Sequence, residues 1–465
     1  MRTHEGSKHT SLVFLLFLGL VVRLVFLHQT SEMGLEITDE EHYHQLGSSI
    51  LSGWGLAWGP GEPTSIRPPL YPAFLALVWA LVGTESLVAV RGVQIVLSLF
   101  NVLLLYQLGL RIFSRRVAFL AAGIFCFYPT LLAFNYLLLT EVLFTFLLTL
   151  FVLGYVVLVQ TGKISIALGT GCALGLAALT KSILWPFPIL LCPLAFFMLT
   201  GSRLGRLRLV GCLFLGYLVI VGPWAVRNTA LQGEFTVVST MGGITLLMGN
   251  YEHTPLNRAW DPITLRGERS IFQKLRRQHP ESSTWTEGQK EKWAQHRALA
   301  YMVEHPFLTL KRSMVKFANF WGLERVIVAG IQQGYYQPPR WFSGIATLLI
   351  PFVYIVVMLL ACLGIFRAPP KDRRIHVFLL LLVLFISGLH SLTFGHSRYH
   401  LPLLPLLILY AASAFVQRSW LCLREGLPAA AAPVGAWILL LAIWGREILV
   451  VETDRIKNLV HSFLS

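Results

Sequence analysis

Three carboxylates stand together in the segment Thr38-Asp39-Glu40-Glu41-His42-Tyr43, shortly after the apolar run 11–28. In a chain that is 55% hydrophobic, such a cluster is a candidate site, because desolvating a charge costs free energy. Thr38-x-x-Glu41 has the pattern of a capping box with Thr38 as the N-cap, which places Asp39 and Glu40 in the first helical turn. The helix dipole favours ionised carboxylates there, as a general base requires, so both are catalytic candidates. An ordinary acidic helix start on the surface explains the same pattern.

A second acidic candidate, Glu141, opens another predicted helix in Leu139-Thr140-Glu141-Val142, where an interfacial N-cap pair is the alternative interpretation. Four lone cations lie in segments that the charge distribution places on the same side: Arg67, Lys181, Arg227 and Arg398. Singly, each is typical of a snorkelling interfacial residue. Around two carboxylates, they favour an anionic substrate such as a lipid phosphate. The same segments hold candidate substrate-binding side chains, namely Tyr43, Tyr71, His396 and Tyr399.

These charges suit the transfer of a sugar from a lipid phosphate. The phosphate is already a good leaving group, so its departure needs charge neutralisation by Arg and Lys rather than a proton donor. The acceptor hydroxyl needs a base on the opposite face of the sugar ring, and Asp39 is the candidate. Glycoside hydrolysis by a paired acid and base fits less well.

The composition indicates an all-α polytopic membrane protein. Mean hydropathy is +0.64 and 13% of residues are charged, against about 25% in soluble domains. The apolar residues predict eleven spanning helices, at 11–28, 86–110, 117–134, 141–159, 164–180, 183–200, 209–226, 342–366, 375–392, 400–417 and 429–449. The alternating short strands of a barrel are missing from the pattern.

Loop charges predict the orientation. With a cytoplasmic N-terminus, the inside segments hold 15 Lys and Arg and the short outside loops hold 3, as the positive-inside rule expects. This accounts for most of the formal charge of +15, and no nucleic-acid-binding motif is present. Arg23 interrupts the first apolar run, which favours an uncleaved helix over a signal peptide. None of the six cysteines falls in a predicted outside segment, so no structural disulfide is expected.

Two segments are predicted to lie outside without spanning. Residues 69–83 are apolar but short, which indicates a re-entrant or interfacial helix. Residues 227–340 form a long outside segment that ends in an apolar stripe at 3,4,3,4 spacing, typical of an amphipathic helix on the membrane surface; a packed helix of a small soluble domain is the alternative. The stripe consists of Phe307, Leu310, Met314, Phe317 and Trp321, with Lys311, Arg312 and Lys316 off it. The chain thus divides into a catalytic module, 1–226, with its first outer loop at 29–85, the outer segment 227–340, and C-terminal helices, 341–465.

Six short motifs then carry a family resemblance. They are Asp39-Glu40-x-x-Tyr43, Arg67-Pro68-Pro69-x-Tyr71-Pro72, Thr140-Glu141, Thr180-Lys181, Pro223-Trp224-x-x-Arg227-Asn228 and Arg398-Tyr399-x-x-Pro402-x-x-Pro405. In this order, and on one predicted side, they resemble the family-39-type integral-membrane glycosyltransferases of the GT-C fold. That family includes protein O-mannosyltransferases and the bacterial aminoarabinose transferases acting on lipid A. The resemblance extends over residues 11–417.

The resemblance implies a polyprenyl-phosphate sugar donor such as an undecaprenyl phosphate sugar, an outer-face active site and inversion at the anomeric carbon. The family's catalytic Asp falls on Asp39, and its second acidic position falls on Glu141, where many members have Asp. Its phosphate-contacting basic residue falls on Arg67, with Lys181, Arg227 and Arg398 as further phosphate ligands. No cofactor is expected, because no His/Asp cluster is present and a divalent metal is not a firm property of this branch.

The expected protein is therefore a multi-pass glycosyltransferase of the bacterial inner (plasma) membrane, with its active site facing the periplasm. Its partners would be a polyprenyl-linked sugar and a lipid, glycan or protein acceptor, recognised by residues 228–340. A lipid or sugar transporter or flippase is one rival, but it would tend to place charges at the bilayer midplane on broken helices. A polysaccharide polymerase or ligase is another, and it would lack the early Asp-Glu loop.

Overall fold

The structure is a computed structural model that describes residues 2–258, 261–336, 340–424, 427–451 and 453. In these ranges the chain is built from helices and short connecting turns, with a single β-bridge between Ala57 and Pro63. The helices are α1 (Arg2–Gln29), α2 (Thr38–Leu51), α3 (Leu70–Val82), α4 (Leu87–Ile112), α5 (Arg115–Cys126), α6 (Pro129–Ala133), α7 (Glu141–Thr161), α8 (Ile164–Thr180), α9 (Pro188–Met198), α10 (Arg203–Gln232), α11 (Gly242–Gly249), α12 (Ile271–Gln278), α13 (Glu287–Glu304), α14 (Pro306–Phe320), α15 (Val326–Gln332), α16 (Arg340–Arg367), α17 (Arg373–Leu392), α18 (Leu404–Val416) and α19 (Leu427–Arg446).

The predicted polytopic architecture is confirmed. Within the described ranges, eight helical stretches are long and apolar enough to cross a membrane, and the bent pair α5 and α6 makes up to nine. The eight stretches contain α1, α4, α7, α10, α16, α17, α18 and α19. The two remaining predicted spans correspond to α8 and α9, which are apolar but shorter. Each of the eleven predicted segments is thus a helix or a bent helix pair.

The predicted span 117–134 is broken rather than straight. Its two helices meet at an angle of 53°, and Tyr128, between them, has the extended backbone angles φ −66° and ψ 117°. Pro129 follows it, and a proline disfavours the helical conformation in the residue before it. The break releases the chain into the segment 134–140, which leads to Glu141.

Glycines allow α8 to pack tightly although it is short. A Cβ atom at Gly171 would lie 2.0 Å from the carbonyl oxygen of Leu213 on α10, and one at Gly216 would lie 2.2 Å from that of Leu168. Small residues at such crossings let two membrane helices approach backbone to backbone. This packing fixes the end of α8, where Lys181 follows.

Helices α2 and α3 lie between α1 and α4 in the chain, in the segment that the sequence predicts to face outward. The predicted interfacial helix at 69–83 is α3, which packs so closely against α2 that a Cβ atom at Gly47 would lie 2.9 Å from the ring of Trp79. The seventh predicted span, 209–226, is longer than expected, because α10 continues through Pro223 to Gln232. Helices α11 to α15 belong to the outer segment 227–340.

Two of the three cations of α14 are turned inward, whereas Lys311 is exposed. Arg312 and Lys316 are buried, whereas Phe307 is 88% exposed, and Leu310 and Met314 are also exposed. Lys316 donates to the side chain of Asn250 and to the carbonyl of Leu392, and Arg312 donates to the carbonyl of Thr254. The first three residues of the predicted apolar stripe therefore face outward, while Phe317 and Trp321 join the main core. Membrane contact of this face stays a prediction.

Candidate active site

Five charged side chains form one continuous chain of ion pairs in the segments that the sequence predicts to face outward. Arg67 Nη2 lies 2.7 Å from Asp39 Oδ1, and Arg398 Nη1 lies 2.9 Å from Asp39 Oδ2. Arg398 also reaches Glu141 Oε1 through Nε at 2.6 Å, and Lys181 Nζ reaches the same oxygen at 2.8 Å. We refer to Arg67, Asp39, Arg398, Glu141 and Lys181 as the charge chain. Three cations alternate with two carboxylates, so its formal charge is +1.

The two carboxylates of the charge chain differ in access to solvent. The side chain of Asp39 is 32% exposed, whereas that of Glu141 is 1% exposed. Both oxygens of Glu141 accept hydrogen bonds from Arg398, and one also accepts from Lys181. Asp39 can therefore meet a substrate, while Glu141 is placed to hold the two cations in position.

Asp39 remains ionised because of its partners. Burial alone would raise the pKa of its carboxyl group, but the charges of Arg398 and Arg67 outweigh that effect and lower the pKa to about 2. The predicted ionised carboxylate is present, yet two guanidinium groups rather than the helix dipole are the main cause. The carboxylate of Asp39 is also masked, since both its oxygens already accept hydrogen bonds.

Aromatic side chains support the cations. The guanidinium of Arg67 lies over the ring of Tyr43, 5.4 Å from its centroid, and Lys181 Nζ lies 5.2 Å from the centroid of Tyr399. Tyr71 is fully buried, packs edge-on against Tyr43, and donates its hydroxyl to Gln94. Tyr43 and Tyr71 therefore lie beneath the charge chain, although the sequence indicated them as substrate contacts.

His396, one of the candidate substrate-binding residues, contacts the backbone of Arg398. Its Nδ1 accepts the backbone N–H of Arg398 at 3.1 Å. Burial, together with the charges of Arg325 and Arg398, lowers the pKa of His396 to about 3, so the ring is neutral as this bond requires. His396 thus fixes the turn from which Arg398 projects.

Glu40 lies apart from the charge chain. It is fully buried, and its carboxylate accepts the backbone N–H groups of Glu36, Ile37 and Leu138. Helix α2 has Ile37 as its N-cap, so the helix begins one residue earlier than the predicted capping box implies and Glu40 takes the reciprocal role expected of Glu41. The geometry gives Glu40 a structural role in place of the catalytic one suggested by the sequence.

Arg227, expected at the donor phosphate, instead holds the first outer loop. It donates to the carbonyl of Thr64 at 2.7 Å and to the hydroxyl of Ser65 at 3.1 Å. Glu287, at the start of α13, accepts the hydroxyl of Thr64 and the backbone N–H of Ser65. Arg227 on α10 and Glu287 on α13 therefore together fix the backbone just before Arg67.

Sequence reasoning missed two buried polar residues of α4. Arg91 donates to the carbonyls of Thr30, Met33, Gly34 and Tyr136, and so ties the chain before Asp39 to the chain before Glu141. Gln94 donates to the carbonyls of Asn135 and Leu137. Their signal was present in the sequence, because an Arg and a Gln one turn apart inside an apolar span need buried partners.

A second buried cluster supports the turn that carries Arg398. His400 is fully buried, and its ring nitrogens lie 2.6 Å from the carbonyl oxygen of Phe320 and 3.3 Å from the carboxylate of Glu324. Glu324 also accepts the hydroxyls of Tyr128 and Thr130. This cluster connects the outer segment, the break between α5 and α6, and the turn 397–403.

Comparison with known proteins identifies the architecture. Residues 66–226 match the family model described as dolichyl-phosphate-mannose-protein mannosyltransferase. The matched range contains Arg67, Glu141 and Lys181. The oligosaccharyltransferase AglB from Archaeoglobus fulgidus, solved with an inhibitory peptide and a dolichol-phosphate, is 13% identical with a TM-score of 0.54. The alignment covers 94% of this chain and 56% of AglB. The chain has a GT-C glycosyltransferase fold.

Two further structures share similarity with this GT-C fold. The Archaeoglobus fulgidus oligosaccharyltransferase with Zn and sulfate is 14% identical, with a TM-score of 0.52, over 93% of this chain and 52% of that one. ArnT from Cupriavidus metallidurans bound to undecaprenyl phosphate is 13% identical, with a TM-score of 0.42, over 88% and 79%. The chain spans about half the length of the oligosaccharyltransferases it matches. No curated protein matches it by sequence.

Within the part of the chain that the structure describes, no three His, Cys, Asp or Glu side chains come together as metal ligands would.

Proposed function

We propose that the protein is an inverting glycosyltransferase that moves a sugar from a polyprenyl-phosphate donor to an acceptor hydroxyl at the outer face of the membrane. The charge chain carries the proposal, because it combines one accessible carboxylate with three cations and a formal charge of +1. The family model that matches residues 66–226 is named for a dolichyl-phosphate sugar, and AglB was solved with a dolichol-phosphate. Both support a lipid-phosphate donor.

In the proposed reaction, Asp39 removes the proton from the acceptor hydroxyl as its oxygen attacks the anomeric carbon. The bond between that carbon and the phosphate oxygen breaks, and the polyprenyl phosphate leaves with the bonding electrons. Arg67, Arg398 and Lys181 stabilise the charge that grows on the phosphate. No proton donor is needed for the leaving group, which agrees with a site that has one accessible carboxylate.

Donor binding would also activate the base. In the free protein both oxygens of Asp39 are engaged by Arg67 and Arg398, which hold its pKa at about 2. A phosphate that accepts hydrogen bonds from the same guanidinium groups competes with Asp39 for them. The pKa of Asp39 then rises towards the working pH, where general-base catalysis is more effective. Glu141 shares Arg398 and Lys181 with the phosphate, but its carboxylate is buried and accepts hydrogen bonds from both, so we expect it to keep these partners.

The role of Glu141 is to position cations. Its carboxylate bridges Arg398 and Lys181, and breaking a buried pair of this kind costs about 3–5 kcal/mol. Glu141 thereby sets the distance between Lys181, which follows α8, and Arg398 on the turn 397–403. This assignment replaces the catalytic role suggested by its sequence position.

The experiment that tests the function compares cells lacking the gene with cells that carry it. Lipids would be extracted and the polyprenyl-phosphate sugars quantified by mass spectrometry. We expect one such sugar to accumulate without the gene, to disappear with the wild-type gene and to persist with Asp39→Asn. An unchanged pool in all three strains would contradict the proposal, and a changed distribution across the two leaflets without a new glycoside would indicate a flippase.

A further inference from the structure

A cavity of about 270 Å³ lies against the short helix α15. Its wall includes Ile37, two residues before Asp39, and His396, two residues before Arg398. The other side is formed by the outer segment, from Arg258, Arg325, Ala329, Gln333, Tyr335 and Tyr336. The cavity is therefore bounded on one side by the segments that carry the proposed base and its arginine.

Lys181 lies at the other end of the charge chain from this cavity. It pairs with Glu141, whereas the cavity is lined by neighbours of Asp39 and Arg398. A donor phosphate bound by Lys181 would thus leave the cavity free. Inversion requires the acceptor to approach the sugar from the face opposite the phosphate, and a cavity lined by near neighbours of Asp39 and Arg398 suits that approach.

The cavity wall and its surroundings are basic. Arg258 is exposed at the cavity, and Arg325 contributes a second guanidinium, which pairs with Glu447 at 2.7 Å. The whole outer segment, 227–340, has 15 Lys and Arg against 9 Asp and Glu. Basic residues on the outer side are not explained by the positive-inside rule, which favours them inside. Arg312 and Lys316 have partners inside the protein, whereas the exposed Arg258 at the cavity wall suits an anionic ligand.

We propose that this cavity binds the acceptor, and that the acceptor carries an anionic group, a phosphate or a carboxylate, near the hydroxyl that receives the sugar. We refer to it as the acceptor cavity. Arg258 binds the anionic group, and the tyrosines and Gln333 contact the remaining polar surface. The hydroxyl then lies next to Asp39, which takes its proton as the new glycosidic bond forms. The inference rests on the proposed function.

Blocking the cavity without touching the charge chain tests the location. Ala329→Trp adds bulk into the cavity from α15, and Gln332→Trp adds the same side chain at an exposed position of α15 outside the wall. We expect cells with Ala329→Trp to accumulate the lipid-linked sugar as the gene deletion does, and cells with Gln332→Trp to resemble the wild type. Purified Ala329→Trp protein should bind polyprenyl phosphate within about twofold of the wild type, which separates a blocked acceptor from a lost fold.

The charge of the acceptor is tested through Arg258. Loss of one charged hydrogen bond predicts at least about a tenfold lower transfer rate for Arg258→Gln at limiting acceptor, with partial rescue by Arg258→Lys. The radiolabelled product should be retained on an anion-exchange column. Loss of retention after phosphatase treatment would identify a phosphate monoester, and loss of retention after methyl esterification of carboxyl groups would identify a carboxylate.

The outcomes separate the two proposals. If the wild-type gene leaves the lipid-linked sugar unchanged, the proposed function is wrong. If the wild type consumes that sugar and Ala329→Trp does so equally well, the acceptor cavity is wrong. A product that passes the column as a neutral molecule would overturn the anionic acceptor.

Discussion

Replacing Asp39 by Asn tests the base and its masking together. The substitution keeps the size of the side chain, removes one negative charge, and raises the formal charge of the charge chain from +1 to +2. Loss of a positioned general base lowers the rate by roughly 10² to 10⁴. We therefore expect turnover to fall in that range in protein reconstituted into nanodiscs.

Donor binding should change in the opposite direction. Removing a unit charge ~6 Å from a phosphate changes the interaction energy by about 3 kcal/mol at an effective dielectric constant of ~20. Asp39 is about a third exposed, so solvent screening reduces this, and we expect donor affinity to rise by about tenfold. Binding would be measured with polyprenyl phosphate, with no acceptor present. Tighter binding together with slow turnover is a combination that a merely unfolded variant cannot give.

Stability provides an internal check. The pKa of Asp39 is about 2 in the folded protein against its ordinary value of 3.8, which corresponds to at most about 2 kcal/mol, and about 1 after screening. Because the folded pKa is lower, this stabilisation is complete above pH 3.8 and is lost as the pH falls towards 2. The difference in melting temperature between wild type and Asp39→Asn should shrink over that interval.

Glu41→Gln is the matched control. Glu41 is exposed, lies in the same helical turn and contributes the same charge, but it is not part of the charge chain. Turnover and donor affinity should stay within about twofold of the wild type, since exposed charges interact weakly. Near-normal turnover of Asp39→Asn would refute the assignment of Asp39 as the base. Equal losses of turnover in Asp39→Asn and Glu41→Gln would show that any negative charge in this turn has the same effect.

Three further outcomes are expected. Arg67→Ala should weaken polyprenyl-phosphate binding by about 1.5–3 kcal/mol, because it removes a charged hydrogen bond. Arg227→Ala removes the hydrogen bond to the carbonyl of Thr64, so it should lower the melting temperature more than Arg67→Ala does and the affinity less. A larger loss of affinity for Arg227→Ala than for Arg67→Ala would show that Arg227 is the phosphate ligand. A cysteine at the exposed position Ser283 should react with an impermeant maleimide in intact cells if the outer segment faces outward; labelling only after permeabilisation would invert the topology. A spin label at Met314 should be accessible to oxygen but not to a water-soluble nickel complex, and one at the exposed Ser283 should show the opposite, if the apolar face of α14 contacts lipid; nickel access at Met314 would place that face in water.

All five members of the charge chain can be identified from the sequence, because they are rare charges at helix ends and in short loops. Asp39, Glu141, Arg67, Lys181 and Arg398 were each selected on that ground, and the structure brings all five together. Their pairing could not be predicted, since Asp39 and Arg398 are 359 residues apart and no local pattern links them.

The residues placed differently by the structure share one cause. Arg227 lies in a motif beside the site, but its donors are taken up by backbone carbonyls of the outer loop. Glu40 differs from Asp39 by one residue, and that step turns its side chain about 100° around the helix, into the protein. A motif indicates which residues are near a site, whereas the direction of each side chain depends on packing.

The long separations within the charge chain affect how the protein is made. During synthesis both carboxylates are complete long before Arg398, which lies 257 residues after Glu141. Until the turn 397–403 is in place, Asp39 has only Arg67 and Glu141 has only Lys181 as ionic partners. Glu324 likewise meets Tyr128 and Thr130 only after most of the membrane helices have been inserted. We expect a chain released early, for example after residue 372, to be degraded faster in pulse-chase experiments than the full chain, since a half-paired buried carboxylate is strongly destabilising. The charge chain is therefore complete only after translation has reached the C-terminal helices.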